Sequence, residues 1–281
     1  MTRAIEERVQ GQQTFDGAGV DLVRVLGHPT AETFDPFLML DSFDSTDPES
    51  YKAGFPKHPH RGIETISYLV QGQMMHRDSL GHEDTIGDGE VQWMTAGSGI
   101  QHEEKLPASE RLLGVQLWLN LPAKDKMVMP AYHHIKREDI PEVDIDGGKV
   151  RVLAGSFNGV QGFQGSYLPL DYYDVQLEAG KAATIATDPA RRTMVFTLLG
   201  DAVVEGEAIA EKTAVKLASG DSLHLEAADA PVHILVMSAP ALNEPIAWHG
   251  PIVMNSLADI AKATAELHNG KFLKHEIQYE E

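Results

Sequence analysis

The chain has no cysteine among its 281 residues. That excludes a disulfide framework, a zinc ribbon and a thiol nucleophile, and it suits a reducing compartment. Basic residues are scarce: 23 stand against 42 acidic ones, for a formal charge of −19. So acidic a chain repels phosphate backbones at long range, which argues against direct nucleic-acid binding. No stretch approaches the roughly 18 consecutive apolar residues of a membrane-spanning helix. The opening residues, "MTRAIEERVQGQQTF", lack the apolar centre of a secretory signal. The expectation is a cytoplasmic protein with no membrane partner. Hydrophobic residues make up 42% of the chain, enough for one large or two ordinary domains.

Helical periodicity is also in short supply. What recurs instead are short apolar runs cut by Gly, Asp and Pro: "TISYLVQG", "EVQWMTAG", "LLGVQLWLNL", "KVRVLAG", "DVQLEAG", "TMVFTLLG" and "PVHILVMSAP". These read as strands separated by turns. A helix is indicated only in "NSLADIAKATAELHNGKF". Ser256 and Asp259 have capping-box spacing, Leu257, Ile260, Ala261 and Leu267 share a face, and Gly270 can close the helix. The reading is an all-β protein with a short C-terminal helix. Many evenly spaced strands favour barrels or sandwiches, in which few edges stay exposed.

The sequence repeats itself weakly. "ETISYLVQGQ" aligns with "RTMVFTLLGD", Thr65 on Thr193 and Gly72 on Gly200. At a second offset "GDGEVQW" aligns with "LASGDSLHL", Gly89 on Gly220, and His102 falls on His233. Two related β-barrels follow: residues 1–130, a polar Pro-containing linker at 131–148, and a second barrel at 149–240. A C-terminal segment at 241–281 carries the helix. Of the candidate ligands discussed next, only His102 keeps a counterpart under these offsets, so the second barrel is expected to hold no metal.

The chemistry lies in two stretches. "FPKHPHRGIETISYL" places His58 and His60 two residues apart. In an extended segment such residues face the same side, roughly 6.6 Å apart. Pro59 holds its own φ and pushes His58 towards an extended backbone. About forty residues on, "AGSGIQHEEKLP" offers His102 and Glu104 at the same spacing. Neighbouring strands carrying these pairs can aim three imidazoles and a carboxylate at one ion. That donor set suits a first-row transition metal such as Fe, Mn, Ni, Cu or Zn.

These stretches, with "HRDSLGHEDTIGDGEVQWMTAGSGIQHEE", "LWLNLPAKDKM", "VRVLAG", "WHGPIVMN" and "NGKF", resemble the pirin family of the bicupin class along essentially the whole chain. The resemblance implies two tandem cupin barrels, with one metal in the N-terminal barrel held by His58, His60, His102 and Glu104. Fe(II) is the expected ion, and other divalent first-row ions are compatible. Bacterial members resemble quercetin 2,3-dioxygenases, which implies a flavonol substrate, O2 and a proton-accepting role for Glu104. Eukaryotic members resemble iron-dependent, redox-sensing co-regulators that bind a protein partner, which stands as the alternative. The general cupin pattern offers a competing carboxylate, Glu64 in "HPHRGIE", at the same strand parity as the two histidines.

Other candidates read as structural. His76 and His82 fall in a hairpin, with His76 also able to line a pocket. His133 and His134 are adjacent and so face opposite ways in a strand. Met74, Met75, Met94, Trp93 and Trp118 read as packing, with Met74 and Trp93 expected in the wall that keeps water from the site. The terminal "EIQYEE" reads as a solvated end.

Overall fold

A computed structural model describes residues 1–275; the terminal "EIQYEE" lies outside the described residues. The chain divides into two compact units: residues 13–32, 37–137 and 242–281, and residues 1–12, 33–36 and 138–241. Each is built from a seven-stranded and a four-stranded sheet. In the first unit the larger sheet runs Ala131–Ile135, Val91–Thr95, Ile63–Gln71, Leu112–Asn120, Phe37–Ser45, Val20–Leu26 and Gln12–Asp16. Its smaller sheet runs Phe55–His60, Ile100–Lys105, Met74–Asp78 and Glu83–Ile86. In the second unit the larger sheet runs Ile5–Gln10, Thr213–Leu217, Arg192–Leu199, Val232–Ala239, Asp171–Leu177, Gly148–Ala154 and Glu142–Ile145. The smaller one runs Ala182–Ala186, Ser222–Ala227, Ala202–Val204 and Glu207–Ile209.

The seven apolar runs are all strands of the larger sheets, where burial on both faces calls for near-continuous apolar sequence. Ile63–Gln71 and Arg192–Leu199 each stand third in their sheet, as the first alignment offset requires. The second offset is one strand out. Ile100–Lys105 stands second in its sheet beside Phe55–His60, and the strand in that place in the other unit is Ser222–Ala227, beside Ala182–Ala186. His102 therefore has its counterpart near Ser222, which faces Ala186 as His102 faces His58. His233 lies instead in Val232–Ala239, the counterpart of Leu112–Asn120. The two Gly-rich turns look alike but introduce different strands.

The segment 131–148 is not a plain linker. Ala131–Ile135 pairs with Val91–Thr95, and Glu142–Ile145 pairs with Gly148–Ala154. The first twelve residues group with 138–241 rather than with the strands that follow them, because Ile5–Gln10 pairs antiparallel with Thr213–Leu217. The core of that unit is a β-branched and leucine cluster including Val150, Val175, Val195, Val215, Leu223 and Val236.

The helix spans Leu257–His268. Ser256 Oγ accepts from the Asp259 backbone N–H at 3.1 Å, the expected N-cap. At the other end Gly270 (φ 67°) donates to Leu267 O at 3.3 Å and Lys271 to Glu266 O at 2.8 Å, a Schellman closure. The buried face differs from the one anticipated. It carries Ile260, Ala263 and Leu267, packed with Phe272, while Leu257 is 81% exposed and Ala261 faces solvent. Leu257 is the first helical residue, where the helix has not yet reached its packing surface. No helix of the described residues is long and apolar enough to cross a membrane.

Candidate metal centre

Phe55–His60 is an edge strand of the four-stranded sheet, a position that tolerates its two prolines, which cannot donate to a ladder. It pairs antiparallel with Ile100–Lys105, and the register sets His58 opposite His102 and His60 opposite Ile100. Both i, i+2 pairs thus lie on neighbouring strands. The imidazoles of His58, His60 and His102 converge, with donor atoms all within 4.8 Å of one another. His58 Nε2 lies 3.0 Å from His60 Nε2 and 3.0 Å from His102 Nε2.

The far nitrogens explain how two of those three atoms face inward. His58 Nδ1 donates to Pro56 O at 2.8 Å, and His60 Nδ1 to Pro251 O at 3.2 Å. A carbonyl can only accept, so each Nδ1 carries a hydrogen, and in the neutral ring, the form that binds metal, each Nε2 is a bare lone pair. Two such atoms cannot hydrogen-bond to each other, so their close approach calls for a cation. Ligands at right angles on an ion with metal–nitrogen bonds of roughly 2.0–2.1 Å stand roughly 2.8–3.0 Å apart, which fits the observed separation. Burial lowers His60 and His102 well below the usual imidazole value of 6.5, reinforced by His58 for the first and by His60, His58 and His76 for the second. The neutral form that binds metal is the one this site favours.

Glu104 is buried and lines the same cavity, though it is not among the atoms within 4.8 Å of one another. Two buried amides hold it. Gln92 Nε2 donates to Oε1 at 3.0 Å, and Gln116 Nε2 donates to Oε1 at 3.0 Å and to Oε2 at 3.2 Å. Glu64 is also buried but lies elsewhere. It pairs with Thr95, whose hydroxyl donates to its Oε1 at 2.6 Å. The parity that joins Glu64 to His58 and His60 in the sequence is broken at Gly62, where φ is +80° and a Cβ would stand 2.0 Å from Val253 O. Beyond that turn Ser67, paired with Gln92, faces the Glu104 side, because Gln116 Nε2 bonds both Ser67 Oγ and Glu104. Glu64 and Trp93 occupy the opposite parity. Burial raises the Glu64 carboxyl, offset in part by its hydrogen bonds from Thr95 and Trp93.

His58 and His60 open onto a cavity of about 620 Å³ in this unit, with His102 buried behind them. Met39, Phe55, Trp118 and Trp248 give it an apolar wall, and Trp118 meets the His60 ring edge-on with centroids 4.9 Å apart. Met74 and Trp93, expected in that wall, are buried in the core away from it. Arg24 also reaches the cavity. It donates to Asp41 through Nε at 2.9 Å and Nη2 at 2.7 Å, and to Asp16 at 2.6 Å. His76 is fully buried behind His102, with its Nδ1 3.3 Å from His102 Nδ1. His134 bonds Asp84 and Glu90 and takes no part in the cluster.

Gln92, Gln116, Arg24 and Asp41 escaped the sequence reading. The usable signal was a glutamine inside a continuous apolar strand, in "EVQWM" and "GVQLWLN", since a buried amide needs partners.

Family models match in two places: Pirin over residues 19–119 and the Pirin C-terminal cupin domain over residues 172–273. A Pseudomonas aeruginosa protein named "Putative quercetin 2,3-dioxygenase" is 42% identical over 278 residues, covering 95% of this chain and 97% of that one. A pirin-like protein of Caulobacter vibrioides is 40% identical, covering 96% and 99%. A crystal structure described as quercetin 2,3-dioxygenase from Acinetobacter baumannii superposes with a TM-score of 0.89 at 33% identity, covering 97% of this chain and 99% of that one. The chain belongs to the pirin family and consists of two cupin domains with one C-terminal helix.

Proposed function

We propose that this protein is a metal-dependent dioxygenase that opens the heterocyclic ring of quercetin or a related flavonol with O2. The observation that carries the reading is the convergence of three imidazoles, two of them on the wall of a largely apolar cavity that also holds a buried carboxylate. The cavity volume falls within the roughly 300–1,000 Å³ of small-molecule sites. The names of the Pseudomonas and Acinetobacter relatives support the same substrate class.

In this reading His58, His60 and His102 hold a divalent first-row ion, Fe(II) by preference, and Glu104 is its fourth protein ligand. The ion supplies Lewis acidity towards the 3-hydroxyl and 4-carbonyl of the flavonol and the redox chemistry that O2 requires. Glu104 takes the hydroxyl proton. Its Oε2 accepts one protein hydrogen bond, at 3.2 Å, where Oε1 accepts two, so Oε2 has the spare capacity. Gln92 and Gln116 fix the carboxylate in place. Trp118, Met39 and Phe55 exclude water from the activated substrate, and the Arg24–Asp41–Asp16 group offers donors and acceptors to ring hydroxyls.

The test is O2 uptake by iron-loaded protein given quercetin, followed together with loss of the flavonol absorbance. Uptake and bleaching should run in proportion, and His60→Ala and metal-free protein should do neither. A fully metallated protein that binds no flavonol and takes up no O2 with a panel of flavonols would overturn the reading in favour of the redox-sensing binding module.

A further inference from the structure

We infer that Asp78, acting through His76, sets the tautomer of His102 and thereby keeps its Nε2 free for metal; the inference rests on the metal reading of the three-histidine cluster. His58 and His60 have their tautomers fixed by carbonyls. His102 does not. Its Nδ1 faces another imidazole nitrogen, His76 Nδ1, at 3.3 Å. One of the two must carry the hydrogen and the other must accept, and the pair alone does not decide which.

Asp78 decides it. His76 Nε2 lies 3.0 Å from Asp78 Oδ2. A carboxylate only accepts, so His76 Nε2 carries a hydrogen, and in the tautomer whose one ring hydrogen sits there Nδ1 is the acceptor. His102 Nδ1 must then donate, and its Nε2 is bare. Asp78 is itself well anchored: Oδ1 accepts from the backbone N–H of Leu80 at 2.8 Å and of His82 at 3.1 Å, and the His82 ring Nδ1 lies 3.0 Å from Oδ2. The side chains of His76 and Asp78 are fully buried, and the Tyr132 ring stacks on His76 at 4.4 Å between centroids. The strand Met74–Asp78 pairs with Ile100–Lys105, with Asp78 opposite His102 and His76 opposite Glu104. His76 and Asp78 are positioning residues: they touch the ligand and its support, not the ion.

Asp78→Asn tests this with almost no change of shape. The single amide oxygen stays on the two backbone N–H groups, and the NH2 then faces His76 Nε2 and His82 Nδ1, which must accept. His76 Nδ1 becomes the donor, His102 Nδ1 the acceptor, and a hydrogen moves onto His102 Nε2, where it opposes metal binding. Loss of such a supporting partner costs about 10- to 100-fold in affinity. Co(II) or Ni(II) should therefore bind Asp78→Asn at least about 10-fold more weakly than wild type, with a changed Co(II) visible spectrum and an unchanged thermal midpoint of the metal-free protein. In a His76→Leu background the same substitution should cost nothing further. Nitrogen-15 NMR of the metal-free wild type gives a readout that needs no variant: His76 should carry its hydrogen on Nε2 and His102 on Nδ1. The opposite tautomer on either ring overturns the inference, as does wild-type affinity in Asp78→Asn or an equal loss in the His76→Leu background. A wild type that binds no ion at all would instead remove the metal reading beneath it.

Discussion

His58 and His102 stand directly opposite each other on neighbouring antiparallel strands, with their Nε2 atoms 3.0 Å apart. Strand pairing brings together two residues 44 positions apart, and their i, i+2 partners His60 and Glu104 follow from the period of the strand. The His-Pro-His stretch sits on a sheet edge, where proline is tolerated and imidazoles can face a cavity.

One metal equivalent per chain is expected on elemental analysis of protein produced in iron-rich medium. His58→Ala, His60→Ala or His102→Ala should each lose most of it, since a ligand bond and the site geometry go together. His233→Ala should leave the content unchanged. Two tightly held equivalents would contradict the assignment of a single site.

The two carboxylates should separate cleanly. Glu104→Gln is expected to weaken metal binding and abolish flavonol bleaching, because it removes both the proposed ligand and the proposed proton acceptor. Glu64→Gln should keep the metal, since Glu64 lies on the other face of its sheet. The inverse result, scored by metal content and O2 uptake, would restore the general cupin pattern.

Glu64 also predicts a pH effect on stability. Its carboxyl is raised above 4.5 by burial, so the folded state holds a proton that the unfolded chain releases. Stability from this group is complete below the unfolded value and is lost as pH rises towards the folded one. Glu64→Gln should therefore stabilise the protein near pH 7 and do so less near pH 4. Urea unfolding of both proteins at the two pH values checks this; a gain that does not grow with pH would refute it.

Gln116→Leu removes a donor from both Glu104 oxygens and the acceptor of Trp118 Nε1. Leaving buried polar groups unpaired costs about 1–3 kcal/mol. The urea midpoint of the metal-free protein should fall accordingly, and turnover should fall with it as the carboxylate loses its fixed orientation. An unchanged midpoint would mean that water replaces the amide without loss.

Much of this was legible in the sequence because strand parity and apolar runs are local signals. The two i, i+2 pairs needed only the extended geometry, and the helix needed only its cap and its closing glycine. What failed depended on register. Trp93 and Trp118 look alike as aromatics in apolar strands, yet only Trp118 faces the cavity. Parity counted from His60 to Glu64 fails because Gly62 turns the chain. The partners of His60 and His102, Pro251 O and His76, come from separate strands or loops, and no spacing rule joins them to these histidines.

The most direct test is anomalous diffraction from crystals of the metal-loaded protein. The account predicts one peak in the first unit, bound by Nε2 of His58, His60 and His102 at roughly 2.0–2.1 Å and by a Glu104 oxygen at roughly 2.0–2.2 Å. An ion seated elsewhere, or bound with Glu64 in place of Glu104, would contradict it.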